Sequence, residues 1–133
     1  MPWAVVYYKR EDGSIPVEEF LGDCPVKVEA KMQAVLSAVA DAPPPSFSGG
    51  GMWEAMHGDM TGYYEVRVNG PKREQFRLFC LLERDPPGLG EPLIAVITGM
   101  RKAFMTKFGK ADYDAVRVLG DEYKATSPRR IAT

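Results

Sequence analysis

The sequence is poor in the residues from which many enzymes build their active sites. Its 133 residues include two cysteines, Cys24 and Cys80, and one histidine, His57. Neither cysteine belongs to a CxxC pair or a cysteine–histidine cluster, so the usual zinc sites are excluded and both are expected to be reduced packing residues. A P-loop, a GxGxxG loop and a Ser-His-Asp order are also missing, which argues against the enzyme classes that need them. We therefore expect no metal and no cofactor.

Long apolar runs and an excess of positive charge are missing as well. No stretch approaches the roughly 20 apolar residues of a membrane helix, and the N-terminus lacks the charged start and apolar run of a secretion signal. We therefore expect a cytoplasmic protein that makes no contact with membrane. The 17 basic and 18 acidic residues give a net charge of -1. Any nucleic-acid surface must then come from local clustering of lysine and arginine.

What the chain does contain is enough apolar material for one core. Hydrophobic residues make up 45% of the sequence and aromatic residues 11%, which suits one folded domain of this length. Residues 43–51, PPPSFSGGG, predict an irregular connection, but neither flanking half has enough core to fold alone. We therefore expect a single domain over residues 1–124 and a flexible C-terminal tail at residues 125–133.

Side-chain periodicity predicts an α+β domain with the order β-α-α-β-β-β-β-α. Residues 3–8 are β-branched and aromatic and predict the first strand. Pro16 begins a short helix to about residue 21, and Pro25 opens a longer helix with one apolar stripe. That stripe consists of Val28, Met32, Val35, Leu36 and Val39. The other predicted elements are strands at residues 52–56, 63–68, 75–83 and 93–100 and a helix at about residues 112–123. Short connections favour an antiparallel-dominated sheet, packed by the N-terminal αα-hairpin and the C-terminal helix.

Two arginines are predicted to face each other across one of these hairpins. If the loop between residues 68 and 75 is centred on Lys72, Arg67 and Arg77 lie directly opposite in the ladder and share a face. Two like charges there repel, unless an anion such as a phosphate lies between them and accepts bidentate hydrogen bonds. Glu65 and Gln75 would lie near the same face and could equally neutralise the pair.

A second group of cations follows the last predicted strand. Residues 100–110, MRKAFMTKFGK, interleave four cations with two aromatics. Such a run could grip phosphates and stack on bases, or could be a solvated connection with buried rings. The candidate RNA-binding residues are Arg101, Phe104, Lys107 and Lys110, together with Lys72 and Arg73 from the hairpin loop. His57, near a strand end, could shuttle protons or could be an ordinary surface residue.

The order of these segments resembles the phage Gp49-like/HigB family of the RelE toxin superfamily. Residues 5–9 (VVYYK) and 16–21 (PVEEFL) are similar to the start of that family. Residues 64–68 (YEVRV) and 76–79 (FRLF) resemble its YELRV and YRVFY strands, and residues 97–102 (ITGMRK) resemble its LHGFxKK segment. The resemblance covers roughly residues 4–124, in order.

The resemblance implies a fold and a function. The fold is a small antiparallel sheet flanked by two N-terminal helices and a C-terminal helix. The function is that of a type II toxin–antitoxin toxin: a metal-free mRNA endoribonuclease that acts on ribosome-bound messages and is silenced by a helix-turn-helix antitoxin. In that chemistry the 2′-OH attacks the adjacent phosphate while arginine and lysine stabilise the developing charge. Arg67, Arg77 and Lys102 match the family's cations and are the candidate catalytic residues; Glu65 matches a family glutamate.

The chain also departs from that pattern. Ala103 stands where a second lysine occurs, Thr98 where histidine often occurs, and Glu54 and Ala55 where lysines tend to occur. These changes, with a pI of about 5.9, leave a second hypothesis open. In that hypothesis the chain is a non-catalytic phage- or prophage-encoded protein that uses the toxin fold to bind a protein partner, with the loop at residues 86–90 lengthening one edge.

Overall fold

The structure, a computed structural model, describes residues 2–42 and 51–133. The predicted connection at residues 43–51 lies, except for its last residue, outside the described part. The strands are β1 (Ala4–Tyr8), β2 (Trp53–Ala55), β3 (Tyr63–Asn69), β4 (Gln75–Glu83), β5 (Leu93–Lys102) and β6 (Ile131–Ala132). The helices are α1 (Pro16–Gly22), α2 (Val26–Asp41) and α3 (Lys110–Lys124). None of these helices has the length and apolarity that a membrane span requires.

The six strands form one sheet in the order β2-β3-β4-β5-β1-β6. The consecutive strands β2 to β5 pair antiparallel, as their short connections predict. β1 lies parallel to β5, and the chain between them is long enough to make that crossover. The α+β class with a mostly antiparallel sheet is therefore confirmed.

Helices cover both faces of the sheet. α1 and α2 pack on one face, where Met32, Leu36 and Val39 of the predicted stripe are buried. α3 packs on the other face through Val116 and Tyr123. Because side chains alternate along a strand, β4 contributes to both cores: Phe76, Leu78 and Cys80 face α1 and α2, whereas Phe79 and Leu81 face α3. On the α3 face, the apolar part of β4 ends at Phe79. The next residue of β4 on that face, towards the β3–β4 hairpin, is Arg77.

Two boundaries on either side of the β5–α3 connection differ from prediction. β5 continues two residues beyond the expected end at residue 100, because its last residue Lys102 still pairs with Gln75. α3 starts at Lys110 rather than near residue 112. The Asp112 carboxylate accepts a hydrogen bond from the Gly109 N–H at 2.8 Å, so Asp112 caps the first turn from inside it.

The C-terminal segment corrects the expectation of a loose tail at residues 125–133. Ile131–Ala132 forms β6 and pairs antiparallel with the end of β1. The Arg129 guanidinium donates hydrogen bonds to both carboxylate oxygens of Glu83, at 3.1 and 3.2 Å. Without β6, the backbone groups of β1 would lie unpaired at the sheet edge, and pairing satisfies them.

Candidate functional site

The predicted pairing of Arg67 with Arg77 is confirmed. The two residues are direct partners in the β3–β4 ladder, and Asn69 with Gln75 form the next pair on the same face. That face is the one covered by α3, and these four polar positions lie beyond its apolar part. Two guanidinium groups therefore emerge side by side from a rigid sheet.

The two arginines have different surroundings. Arg77 is only 6% exposed. Its Nη1 donates to the Phe76 carbonyl at 2.9 Å and its Nη2 to Gln75 Oε1 at 3.3 Å, and its Cζ lies 5.7 Å from the centre of the Phe108 ring. Among the described residues, no carboxylate lies within salt-bridge distance of it. Burial, followed by the charge of Arg67, lowers the pKa of Arg77. Arg77 is thus a buried cation without a direct counter-ion.

Arg67 is more exposed and is partly neutralised. Its side chain is 42% exposed, and its Nε lies 3.6 Å from Glu65 Oε1. Its Nη1 lies 3.9 Å from Glu54 Oε1. Both separations are long for an ion pair, so an incoming anion can compete for this guanidinium. Glu65 thus acts as the sequence suggested, as one of the groups that neutralise the pair.

Glu65 is the most buried carboxylate near the arginines, with a side chain only 16% exposed. Burial raises the pKa of Glu65 above its ordinary value, against the opposing charges of Arg67 and Arg77. The pKa of the neighbouring Tyr113 hydroxyl is raised by burial and then by the charge of Glu65. A carboxyl group with a raised pKa is better suited to accept and return a proton near neutral pH.

Two clefts meet at these residues. The first, of about 520 Å³, is here called the carboxylate cleft; its walls include Glu54, His57, Glu65, Lys110 and Tyr113. The second, of about 590 Å³, is called the arginine cleft; its walls include Arg67, Asn69, Arg73, Arg77, Phe104 and Lys107. The contacts of Arg67 with Glu54 and Glu65 join the two. Groups that can bind an anion and groups that can exchange protons are therefore adjacent.

The arginine cleft lies between two loops, and the second of them is hydrogen-bonded to β4. The β3–β4 loop carries Arg73, and the β5–α3 loop carries Phe104. Gln75 Nε2 donates to the Ala103 carbonyl at 3.2 Å and to the Thr106 carbonyl at 2.6 Å, which fixes the second loop against β4. These hydrogen bonds fix one wall of the cleft to the sheet.

The other predicted residues divide between the clefts and the rest of the surface. Lys107 lines the arginine cleft, and the exposed His57 and Lys110 line the carboxylate cleft. Lys110 also pairs with Asp114 at 2.8 Å. Lys102 points to the α3 face but lies 3.3 Å from the Asp112 carboxylate, so its charge is partly satisfied. Lys72 is exposed at the tip of the hairpin and lines neither cleft.

Arg101 does not belong to the site. It points to the α1 face, where it makes a two-pronged ion pair with Glu74 at 2.6 and 2.8 Å. It also donates to the Asp23 carbonyl at 3.0 Å and lies over the Phe76 ring. Since Arg101 and Lys102 are consecutive residues of β5, their side chains leave opposite faces of the sheet. Arg101 therefore lies apart from the two clefts and ties Glu74 to the sheet, and its role in RNA binding stays a prediction.

Tyr113 and Asn69 are among the cleft residues that the sequence analysis did not single out. Tyr113 falls within the predicted last helix and was given no functional role, although it lies beside Glu65 on the wall of the carboxylate cleft. Asn69 was treated as part of a turn, but the β3–β4 ladder continues to it. Alternation from Arg67 could have identified Asn69 as a neighbour on the same face. Tyr113 needed the packing angle of α3, which no local pattern gives.

Comparison with known proteins gives no relative: no protein-family model, no curated protein and no solved structure matches this chain. The site is therefore interpreted from its own chemistry. Within residues 2–42 and 51–133, there is no group of three or more His, Cys, Asp or Glu side chains that could hold a metal ion. The groups that are present can bind a phosphate through guanidinium hydrogen bonds and can move protons through Glu65, His57 and Tyr113.

Proposed function

We propose that this protein is a toxin of the RelE/HigB kind, an endoribonuclease that cleaves ribosome-bound mRNA and is held inactive by a cognate helix-turn-helix antitoxin. The observation that carries the proposal is Arg77, a buried cation that no carboxylate of the described residues contacts, paired across the ladder with Arg67 at the edge of a cleft. A phosphodiester placed there would supply the missing negative charge. The α+β architecture with two N-terminal helices and one C-terminal helix supports a RelE-like fold.

The reaction follows from the groups around the two clefts. The Glu65 carboxylate accepts the proton of a ribose 2′-OH, and the 2′-oxygen attacks the adjacent phosphorus. The bond from phosphorus to the 5′-oxygen breaks, leaving a 2′,3′-cyclic phosphate and a 5′-hydroxyl. His57 donates the proton that the leaving 5′-oxygen needs, and solvent restores both groups.

The arginines stabilise the charge that develops during this step. Arg67 and Arg77 hold the two non-bridging oxygens, whose negative charge grows as the pentavalent phosphorus forms. Their position on adjacent strands of a sheet keeps the two guanidinium groups preorganised. Lys102, paired with Asp112, contributes only at longer range.

Growth and message integrity after induction test the proposal. We expect Arg67→Ala and Arg77→Ala each to relieve growth arrest and to reduce cleavage by about 10²- to 10³-fold, as removal of an oxyanion-stabilising donor does elsewhere. Arg130→Ala is the matched control for Arg67→Ala, because the Arg130 side chain is as exposed as that of Arg67 and lies at the opposite edge of the sheet. Primer extension on cellular mRNA should show discrete new 5′ ends only with the parent and the control. Arg67→Ala and Arg77→Ala variants that are well folded and as toxic as the parent would refute the assignment.

A non-catalytic role is the second candidate, and a specific observation favours it. Arg67 contacts two carboxylates and Lys102 contacts one, so part of the cationic charge is already neutralised within the chain. In that case the fold would present a surface to a protein partner. Intact message after induction, together with a stable complex that Arg67→Ala does not disrupt, would support this candidate over the nuclease.

A further inference from the structure

Phe104 is an exposed aromatic ring on the wall of the arginine cleft. It is 49% exposed, whereas the other aromatic of the same loop, Phe108, is stacked on Tyr113 and lies edge-on to Phe79. Of these two rings, the sequence analysis named only Phe104 as a candidate RNA-binding residue. Phe108 is half-buried against Phe79 and Tyr113. Phe104 is left facing solvent in the cleft that Arg67, Arg73 and Arg77 also line.

Arg73 approaches Phe104 from the opposite loop. Its Cζ lies 5.1 Å from the centre of the Phe104 ring, within the range of a cation–π contact. Each loop contains non-glycine residues in the left-handed region: φ is 58° at Arg73 and 66° at Met105. Such a conformation costs free energy at each residue, so the two loops are held in a specific shape rather than the most relaxed one. A flat ring and a planar guanidinium are thereby presented together.

Asn69 completes the set of groups. It is exposed, it lines the same cleft, and its side chain makes no hydrogen bond with the described residues. A free side-chain amide offers both a donor and an acceptor, which is the combination that recognises the edge of a base. The neighbouring Gln75 is already committed to the Ala103 and Thr106 carbonyls.

We propose that the arginine cleft binds one unpaired nucleotide of a single-stranded RNA, with its phosphate on Arg67 and Arg77, its base stacked on Phe104, and its base edge against Asn69. The inference rests on the proposed function, since it names the form of RNA that the site accepts. A base within a duplex is stacked on both sides and cannot reach the ring, whereas an unpaired base can. The cleft volume of about 590 Å³ lies within the usual range for small-ligand sites.

Binding can be measured apart from cleavage by fluorescence anisotropy. The probe is a labelled ten-nucleotide RNA in which every 2′-hydroxyl is methylated, so that no nucleophile is present. We expect the single strand to bind at least tenfold more tightly than the same strand in a duplex. Phe104→Ala and Phe104→Leu should each weaken binding by about 5- to 150-fold, the range for loss of one base–aromatic stack. Phe104→Trp should retain affinity, and its fluorescence should be quenched by the RNA.

Val118→Ala is the matched control, because Val118 is an exposed apolar residue of α3 and lines neither cleft. It should bind as the parent does. Parental affinity in both Phe104→Ala and Phe104→Leu, or equal affinity for duplex and single strand, would overturn the inference. If the Phe104 variants keep parental affinity but Arg67→Ala loses it, the phosphate site is supported and only the base site is refuted. A parent chain that does not bind the probe at all would overturn the base site, and primer extension then decides the nuclease separately.

Discussion

At the scale of single residues, Arg67 and Arg77 show how paired positions acquire different roles. Both lie in similar strand sequences and on one face. Within the described part of the chain, however, Arg77 is buried and contacts no carboxylate, whereas Arg67 is half-exposed and contacts two. A buried charge without a partner opposes folding unless something else compensates it. Arg77 therefore has the character of a residue kept for binding rather than for stability.

Arg77→Met tests that interpretation. Methionine fills a similar volume without a charge, so we expect the midpoint of thermal unfolding to stay unchanged or to rise, while cleavage and toxicity are lost. Inorganic phosphate should raise the unfolding temperature of the parent more than that of the variant, because a ligand stabilises the state that binds it. A variant destabilised by more than about 1 kcal/mol would show that the guanidinium contributes mainly to the fold.

The raised pKa of Glu65 leads to a prediction on pH. A general base works in its ionised form, so the cleavage rate should rise with pH through the pKa of Glu65, which burial places above the ordinary 4.5. Glu65→Gln should be slow and should lose this acidic limb of the profile. Glu54→Gln is the control, because Glu54 also contacts Arg67 but is largely exposed. Cleavage of a model RNA followed between pH 4 and 8 gives the profile; an unchanged limb in Glu65→Gln would remove Glu65 from the reaction.

At the scale of elements, two glycines set how closely the helices approach the sheet. A Cβ at Gly99 in β5 would lie 2.2 Å from the Phe20 ring of α1. A Cβ at Gly120 in α3 would lie 1.9 Å from the hydroxyl oxygen of Tyr63 in β3. Both distances are far inside van der Waals contact, so each glycine is required by packing. The approach of α3 at Gly120 also fixes the position of Tyr113, two turns earlier, beside Glu65.

Gly120→Ala should therefore destabilise the protein, although alanine is the better helix former. We expect a loss of about 1–3 kcal/mol in the free energy of unfolding from overpacking. The Tyr63 hydroxyl is buried and has no hydrogen-bond partner among the described residues, so Tyr63→Phe alone should cost little. In the double variant, Tyr63→Phe should recover only part of the loss caused by Gly120→Ala, since the added Cβ would still lie 2.9 Å from Cζ of the ring.

The control for this cycle is Gly22→Ala at the end of α1, where an added Cβ meets nothing within 4 Å. It should be neutral or slightly stabilising. Urea unfolding of the parent, the three single variants and the double variant measures the coupling. Equal stability of Gly120→Ala and the parent would mean that α3 can move away from the sheet without cost.

At the scale of the whole molecule, the sequence predicted what depends on local pattern. Alternation in β3 and β4 predicted the element type, and the short connection between them predicted antiparallel pairing. A loop centred on Lys72 then predicted the partnership of Arg67 with Arg77, which the ladder confirms. Alternation also places the Arg101 side chain on the face opposite to that of Lys102, but the dense run of cations around Arg101 suggested that all of them share one surface. Long-range packing could not be read locally: it places Tyr113 in the site and Arg101 against Glu74. The likeness to the RelE superfamily remains a prediction.

The largest difference between prediction and structure lies in the C-terminal segment, whose stabilising partners are distant in sequence. Ile131–Ala132 pairs with β1, and Arg129 reaches Glu83 across the end of the sheet. A tail with Pro128 and two arginines has the composition of a loose end. Only the open edge of β1 and the half-buried Glu83 carboxylate explain why this tail docks.

Arg129→Ala tests this docking through its dependence on pH. Burial alone would raise the pKa of Glu83, but the hydrogen bonds and charge of Arg129, together with Tyr123 and the charge of Lys124, outweigh burial and lower the pKa below 4.5. A carboxylate whose pKa is lower in the folded than in the unfolded chain stabilises the fold above the unfolded value, and this stabilisation is lost as the pH falls through the folded value. We therefore expect Arg129→Ala to lower the free energy of unfolding by about 1.5–3 kcal/mol at pH 7. The difference should shrink as the pH falls below 4.5.

Arg130→Ala, which removes an exposed side chain 4.0 Å from Glu11, should show neither effect. Urea unfolding at pH 7 and pH 3.5 measures both variants, and a loss in Arg129→Ala that does not change with pH would mean that the segment is held by its packing rather than by this ion pair.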